Sequence, residues 1–323
     1  MILVIGGLGF IGTHVTRALL DLGESCVLGQ RRATGLPEYL TGGADEPGGA
    51  RAVVEYLDAT DRAGLLELGT RHPITGIIHL AGSALAPDGP ITNARNEIAA
   101  LLNVFEAAAE WGVTRVGVAS TIGVYGGAAP TAVYREDMPL PLMSGHAIPA
   151  FKKVDELLAD YIASAAGLEI ISYRISGIWG PFGRPASLFV AAPQLVHAAV
   201  RGTAPDYSTM RSPAYAEDGM DLNYAKDCGR AIALLQTAER LNHRVYNVAS
   251  GRVTTNEQIA DAVKAAIPGA QSGLLAGRNP QGPAQNAYLD ITRLRQDTGF
   301  EPGYDSERAV ADYITWLRAG NER

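Results

Sequence analysis

Gly6-Gly7-Leu8-Gly9-Phe10-Ile11-Gly12 follows directly on the apolar run Ile2-Leu3-Val4-Ile5, and residues 14–22 after it carry helical spacing. Gly6, Gly9 and Gly12 are spaced G-x-x-G-x-x-G. Between a strand and a helix the three glycines allow, in turn, the tight turn, close backbone approach to a pyrophosphate, and close packing of helix on strand. The first helical turn then aims unpaired N–H groups and the positive end of its dipole at the phosphates. A glycine motif by itself is also compatible with an ordinary strand–helix turn. Strand before, helix after and a βαβ unit around it make it a dinucleotide site, and all three are legible here.

The rhythm continues outward from that loop. Residues 26–28, 53–56, 76–80, 116–119 and 169–173 read as short strands, and residues 93–111 and 152–165 as helices. In the first of these helices Ile98, Leu101, Leu102, Phe105 and Ala109 are assigned to one apolar face. Strands alternating with helices of ten or more residues predict right-handed crossovers and an α/β fold, a doubly wound parallel sheet of Rossmann type. Residues 34–50 read as a surface loop. Residues 181–216 hold five prolines and open a region without the alternation. The expected plan is a dinucleotide-binding domain over 1–180, to which the chain returns near 221–249. A smaller substrate lobe is expected from 181–220 and 250–290, with a C-terminal segment over 291–323.

Composition narrows the function classes. The 323 residues are 47% hydrophobic and 19% charged, which suits a folded chain rather than extensive disorder. With 27 basic and 34 acidic residues the net charge is −7, so there is no basic footprint for nucleic acid or an anionic membrane. Cys26 and Cys228 are too few for a disulfide framework and fit a reducing cytoplasm. No apolar run reaches the roughly 20 residues of a membrane span, and with strand-like sequence starting at Ile2 no signal peptide is expected. The six histidines show no metal-ligand spacing, and no metal site is expected.

The end of the second strand, Leu28-Gly29-Gln30-Arg31-Arg32, bears on which dinucleotide is held. NAD-preferring sites usually place an acid there, on the ribose 2′-hydroxyl. Gln30 stands in that place, and the guanidinium forks of Arg31 and Arg32 match a 2′-phosphate in charge and geometry. The expected cofactor is NADP rather than NAD.

Further motifs carry a resemblance. Tyr56-Leu57-Asp58, Ile78-His79-Leu80-Ala81-Gly82, Ser120-Thr121-Ile122-Gly123-Val124-Tyr125-Gly126, Arg174-Ile175-Ser176-Gly177-Ile178-Trp179-Gly180-Pro181 and Tyr246-Asn247-Val248-Ala249-Ser250-Gly251 appear in that order. Together with Gly6–Gly12 they resemble the extended short-chain dehydrogenases/reductases, also called NAD-dependent epimerases/dehydratases, nearly end to end. The resemblance implies contacts to the cofactor from Gly6, Gly9, Phe10, Ile11, Gly12, Asp58, Leu80, Ala81, Gly82 and Ile175. It implies a hydride-transfer site in which Thr121 orients the substrate oxygen, and Lys152 binds the nicotinamide ribose and lowers the pKa of a proton-transferring tyrosine. Hydride arriving at or leaving carbon requires a proton at the attached oxygen, and a phenol of pKa near 10 serves at neutral pH only beside a cation. The family commonly dimerises through two helices of each subunit, here 93–111 and 152–165, so a homodimer is expected.

The sequence departs from the pattern where the chemistry is most demanding. Ile148-Pro149-Ala150-Phe151-Lys152-Lys153-Val154-Asp155-Glu156 aligns with the family's YGASKxxxE, which puts Ile148 at the tyrosine position; choosing Lys153 as the motif lysine puts Pro149 there. Neither transfers a proton. Another acid can stand in, His146 first and Tyr125 or Tyr134 next, since the His pKa suits neutral-pH transfer. Alternatively, the step uses substrate or water, as in isomerisation or elimination, or the chain senses the dinucleotide without chemistry. Retention of both Thr121 and Lys152 favours an enzyme. Gly177 occupies the place of an Asn that holds a diphosphate in nucleotide-sugar enzymes. Arg211, Arg252 and Arg278 are the remaining candidate cations, and Met143, Ile148, Trp179, Phe182 and Tyr207 suit a smaller, partly apolar carbonyl or alcohol.

Overall fold

The computed structural model describes residues 1–32, 35–41, 51–82 and 87–322. In chain order its elements are β1 (Ile2–Ile5), α1 (Phe10–Asp21), β2 (Cys26–Gln30), α2 (Glu38–Thr41), β3 (Ala52–Tyr56), α3 (Arg62–Arg71), β4 (Gly76–His79), α4 (Pro90–Trp111) and β5 (Arg115–Thr121). A 3₁₀ turn (Ile122–Tyr125) leads to β6 (Val133–Tyr134), α5 (Ala147–Ala166), β7 (Ile170–Ile175), β8 (Gly177–Trp179) and α6 (Ala192–Arg201). Then come β9 (Gly219–Met220), β10 (Leu222–Tyr224), α7 (Ala225–Thr237), β11 (Val245–Val248), β12 (Thr254–Thr255), α8 (Asn256–Ala266), β13 (Tyr288–Leu289), α9 (Thr292–Thr298) and α10 (Ser306–Arg318).

Seven strands form one parallel sheet in the order β3-β2-β1-β4-β5-β7-β11. The chain runs outward from β1 to β3, then returns to the other side of β1 at β4, so the carboxyl ends of β1 and β4 frame the switch-point crevice where such sheets bind ligands. Both faces are apolar. Along β1, Ile2 and Val4 join Val15 and Leu19 of α1 and Cys228 and Ile232 of α7, whereas Leu3 and Ile5 join Leu65 and Leu68 of α3, Leu101 and Phe105 of α4 and Ala159 of α5. That period-two division is what a sheet covered on both sides demands. A third apolar cluster joins Trp179, Leu195 of α6, Ile259 and Val263 of α8 and Val310, Tyr313 and Ile314 of α10. Among the described residues no helix is long and apolar enough to cross a membrane.

Three details differ from the sequence reading. The single face assigned to α4 is divided: Leu101, Val104, Phe105 and Ala108 meet the sheet, while Ile98, Leu102 and Ala109 are exposed. The buried set has i, i+3, i+4, i+7 spacing, and the exposed residues sit roughly a quarter-turn away. Helix α5 begins at Ala147, five residues before the expected start, with His146 as its N-cap. Within the expected 34–50 loop, Glu38–Thr41 is a helical turn that buries Leu40; residues 34 and 42–50 lie outside the described residues.

A buried polar network anchors α5 to the sheet. Glu156 of α5 accepts hydrogen bonds from Ser120 Oγ on β5 and from Arg174 of β7, whose Nη2 lies 2.7 Å from Glu156 Oε2. Arg174 Nη1 also donates to Tyr125 Oη (2.9 Å) and to the Glu136 carbonyl (3.2 Å). Tyr125 Oη donates to Asn247 Oδ1 of β11 (2.8 Å), and its ring stacks on Tyr134. Removing that hydroxyl leaves a guanidinium N–H and an amide oxygen buried without their partner. We expect Tyr125→Phe to lose about 1–3 kcal/mol in urea unfolding; unchanged stability would show that the hydroxyl is not needed by the network.

Candidate active site

Gly9 caps α1 with no side chain, leaving the backbone N–H groups of the first turn facing the crevice. The loop before it has no room for side chains. A Cβ on Gly12 would lie 2.8 Å from Gly7 Cα and closer still to the Gly6 carbonyl oxygen, and Gly6 takes φ +85° with its open side 3.3 Å from Ala81 N. Gly7 was not among the predicted cofactor residues, yet a Cβ there would sit 2.9 Å from Leu28 Cδ2. The doubled Gly6-Gly7 was the available signal. Phe10 and Ile11 are half-buried in the first turn, the Phe10 ring beside Gly183. A cradle that any Cβ would fill, below a helix N-terminus, fits a pyrophosphate.

At the end of β2, Gln30 is half-buried, and its Nε2 is enclosed without a hydrogen-bond partner. Arg31 and Arg32 follow it, exposed. Asp58, beyond β3, uses Oδ1 to hold the N–H and hydroxyl of Thr60 (2.9 and 2.8 Å).

At the end of β4, Leu80 N donates to Ile5 O (3.0 Å), which lays Leu80, Ala81 and Gly82 beside the glycine loop. The open side of Gly82 lies 3.8 Å from Lys152 Nζ and 3.4 Å from Glu97 Oε1. Lys152 donates to Glu97 Oε1 of α4 (2.8 Å) and to Asp155 Oδ2, one turn along α5 (2.9 Å). Burial opposes the ammonium charge, but the Asp155 and Glu97 carboxylates outweigh it and raise the Lys152 pKa. Burial lifts Asp155 to about 6, against the pull of Lys152. His79 beneath them is lowered to about 4 by burial and by Lys152, and is neutral. Glu97 and Asp155 escaped the sequence reading. The one signal was an i, i+3 acid after Lys152; Glu97 is 55 residues away and gave none.

Thr121 closes β5 directly beside Ile175, which closes β7. Its Oγ1 accepts the Gly123 N–H (3.1 Å), leaving the hydroxyl hydrogen for an oxygen in the cleft. Ile148 sits in the first turn of α5, four residues before Lys152 on the same face. His146 stacks on Phe189 (22° between planes), and Arg211 caps the Phe189 ring at 5.0 Å. Its Nδ1 is enclosed without a partner, and burial, then Arg211, lower its pKa. The structure thus gathers Gly6–Gly12, Leu80–Gly82 and Lys152 at the switch point, with Thr121 and Ile175 at neighbouring strand ends.

Other predicted residues stand elsewhere. Tyr125 is buried in the Arg174 network, its hydroxyl proton committed to Asn247 and its pKa pushed by burial up to about 12. Trp179 packs in the third apolar cluster, Phe182 packs on Trp316 and Tyr39, and Tyr207 donates to Ser272 O. Arg278 donates to Asn286 and Arg252 to Tyr304 O. A Cβ at Gly177 would sit 3.1 Å from Leu222 Cδ2 and 3.2 Å from Met220 Cε and the Asp221 carbonyl oxygen, so an Asn there would need these neighbours to shift.

Comparison with known proteins agrees with this geometry. The profile of the NAD dependent epimerase/dehydratase family matches residues 2–249. The chain is 26% identical to the UDP-glucose 4-epimerase of Azospirillum brasilense, over 98% of this chain and 92% of that one. Its fold is similar to the UDP-glucose 4-epimerase of Thermotoga maritima crystallised with UDP-glucose (TM-score 0.80, 22% identity, 99% of both chains). It is also similar to the L-threonine dehydrogenase of Clostridium difficile (TM-score 0.79, 23% identity, 99% and 98% covered). The glycine cradle, the switch-point lysine and the family profile converge on one conclusion: this chain belongs to the NAD-dependent epimerase/dehydratase family, and is an enzyme of the extended short-chain dehydrogenase/reductase class that works with a nicotinamide dinucleotide.

Proposed function

We propose that the enzyme is a cytoplasmic, NADP-dependent oxidoreductase for a small, partly apolar carbonyl or hydroxyl compound, with a proton relay that does not use a tyrosine on α5. The buried Lys152 beside Gly82 carries this reading, because it puts a cation at the switch point of a sheet whose neighbouring strand ends in Thr121. When bound, a nicotinamide dinucleotide supplies hydride transfer to or from carbon. Gly6, Gly9, Phe10, Ile11 and Gly12 hold its pyrophosphate, Asp58 the adenine side, Leu80, Ala81, Gly82 and Ile175 line the nicotinamide half, and Lys152 holds the ribose. Thr121 donates to the reacting oxygen. His146, whose pKa burial and Arg211 lower, accepts that oxygen's proton at Nδ1 in the oxidising direction and returns it in reverse.

The cleft mouth supports the substrate class. Phe189, which stacks on His146, is exposed, as are Leu142, Met143 and Leu188, and Lys153 donates to the Pro141 and Met143 carbonyls. An apolar rim over a few polar groups suits a small organic substrate. The similarity to UDP-glucose 4-epimerases favours a second reading, epimerisation of a nucleotide sugar without net redox change. A screen of alcohols and carbonyls following NADPH absorbance separates them. Net absorbance change supports the oxidoreductase, and product without it supports the epimerase. With a substrate in hand, His146→Ala is expected to lower kcat by about 10²–10⁴-fold; an unchanged rate removes His146 from the relay.

For cofactor choice, Gln30, Arg31 and Arg32 face the 2′-position in this reading. Each charge-assisted contact is worth about 1.5–3 kcal/mol. The Arg31→Ala/Arg32→Ala variant should therefore lose NADP+ affinity by roughly tenfold or more in calorimetry and leave NAD+ affinity nearly unchanged. Equal loss of both contradicts the assignment.

A homodimer completes the proposal. Ile91, Ile98 and Leu102 on α4 and Val154, Leu157 and Tyr161 on α5 are exposed, and the two helices pack side by side. Their i, i+3, i+4 and i+7 spacings make two adjacent apolar stripes, suited to a bundle with a second copy. Light scattering at micromolar concentration should give twice the chain mass, and Leu157→Glu with Ile98→Glu should return it to one. A wild-type monomer contradicts this.

A further inference from the structure

Of the three candidate cations read from the sequence, two are engaged: Arg278 donates to Asn286 and Arg252 to the Tyr304 carbonyl. Arg211 is not. Among the described residues its guanidinium makes neither an ion pair nor a hydrogen bond, and it lies over Phe189, 5.0 Å from the ring centre. The backbone builds that position. Arg211 N donates to the Leu188 carbonyl (3.0 Å), and the Ser187 hydroxyl accepts the N–H groups of Phe189 and Val190 (3.3 and 3.2 Å), so residue 211 is held against the turn that carries the ring. His146 stacks on the same ring with its Nδ1 enclosed and unpartnered, and the Arg211 charge reaches it, adding to burial in lowering its pKa. His146 in turn caps α5, whose first turn lies against the end of β5. There the open side of Gly123 is 3.4 Å from both Pro149 Cβ and Thr121 Cγ2.

We propose that Arg211 is a specificity-determining residue for a carboxylate on the substrate, which makes the substrate class short-chain keto acids and hydroxy acids. The inference rests on the small carbonyl or hydroxyl reading and deepens it. A guanidinium over an aromatic ring keeps its in-plane N–H donors free, and these form the fork that pairs bidentately with a carboxylate. With the reacting oxygen at His146 and the carboxylate at Arg211, the carbon chain between them runs along the Phe189 ring. That gives an exposed aromatic side chain a ligand to cover it. One fork suits one negative charge. A nucleotide diphosphate brings more than one, and Lys153 of α5 already has its ammonium committed to the Pro141 and Met143 carbonyls.

Ligand-observed NMR on the full chain saturated with NADP+ or NAD+ decides it without turnover, because an oxidised cofactor has no hydride to give a ketone. The probes are 2-oxobutanoate and 4-oxopentanoate, each beside its methyl ester, with UDP-glucose as the phosphate arm. At least one acid should bind roughly tenfold or more tightly than its ester, the scale of one charge-assisted contact. Arg211→Gln should bring that ratio to about one, and Arg211→Lys, which keeps the charge and loses the fork, should leave it in between. Arg211 is exposed, so neither change opens the core. A merely structural loosening weakens acid and ester alike and leaves the ratio unmoved. Acids bound no better than esters, or a ratio unchanged in folded Arg211→Gln, overturns the inference and leaves the small-carbonyl reading standing. UDP-glucose bound through Arg211, with the acids indifferent to the substitution, shows a diphosphate in that place and overturns it as well. If neither acids nor esters bind, the small-carbonyl reading fails and this inference with it.

Discussion

Arg174 and Glu156 meet in the interior where β5, β7 and α5 converge, and the site depends on that ion pair. A buried pair is costly to desolvate and helps only when its remaining donors and acceptors are satisfied. Here Ser120, Tyr125 and the Glu136 carbonyl satisfy them, Tyr125 hands the chain of bonds on to Asn247, and Glu136 Oε1 receives the Asn247 N–H at 2.9 Å. The network stitches three strands to one helix. It fixes the rotation of α5 about its axis, and so decides that Lys152, one turn before Glu156, faces the end of β4. Much of what resembles catalytic machinery in the sequence is scaffolding for that orientation, Tyr125 above all.

How much was legible follows from how each signal is written in the chain. The glycine loop is local: strand, turn and helix lie within about twenty residues, and Gly9 and Gly12 are required by contacts inside that unit. The parallel order was readable for the same reason, since period-two and helical spacings report their own elements, whereas Thr121 and Lys152 were singled out only by the resemblance of their motifs to a family. The α4 helix shows the limit. Ile98 and Leu102 are as apolar as Leu101 and Phe105, and only the position of the sheet says which pair is buried. Glu97 shows a harder one. An acid in an apolar helix is ordinarily placed toward water, and its partner lies on another helix, 55 residues on.

Water exclusion and charge then work together at the switch point. His79, neutral through burial, removes a second cation from the floor of the cleft, and Lys152 stays charged because two carboxylates hold it. Burial near the crevice therefore selects among protonation states, and what survives is a cation held between two carboxyl groups.

The absence of a phenol at position 148 and the two acids around Lys152 bear on each other physically. In a site with a tyrosine at position 148, the lysine one turn later has an anion to stabilise whenever the phenol gives up its proton. With Ile148 in that place, the ammonium would face an apolar neighbour, and a buried cation without a counter-charge costs several kcal/mol. Glu97 and Asp155 provide the counter-charge permanently, from α4 and from the next turn of α5. Lys152 then has no phenol to tune and is a fixed hydrogen-bond donor, and in the proposed relay the proton is moved by His146 instead. His146 has its pKa lowered by burial and by Arg211.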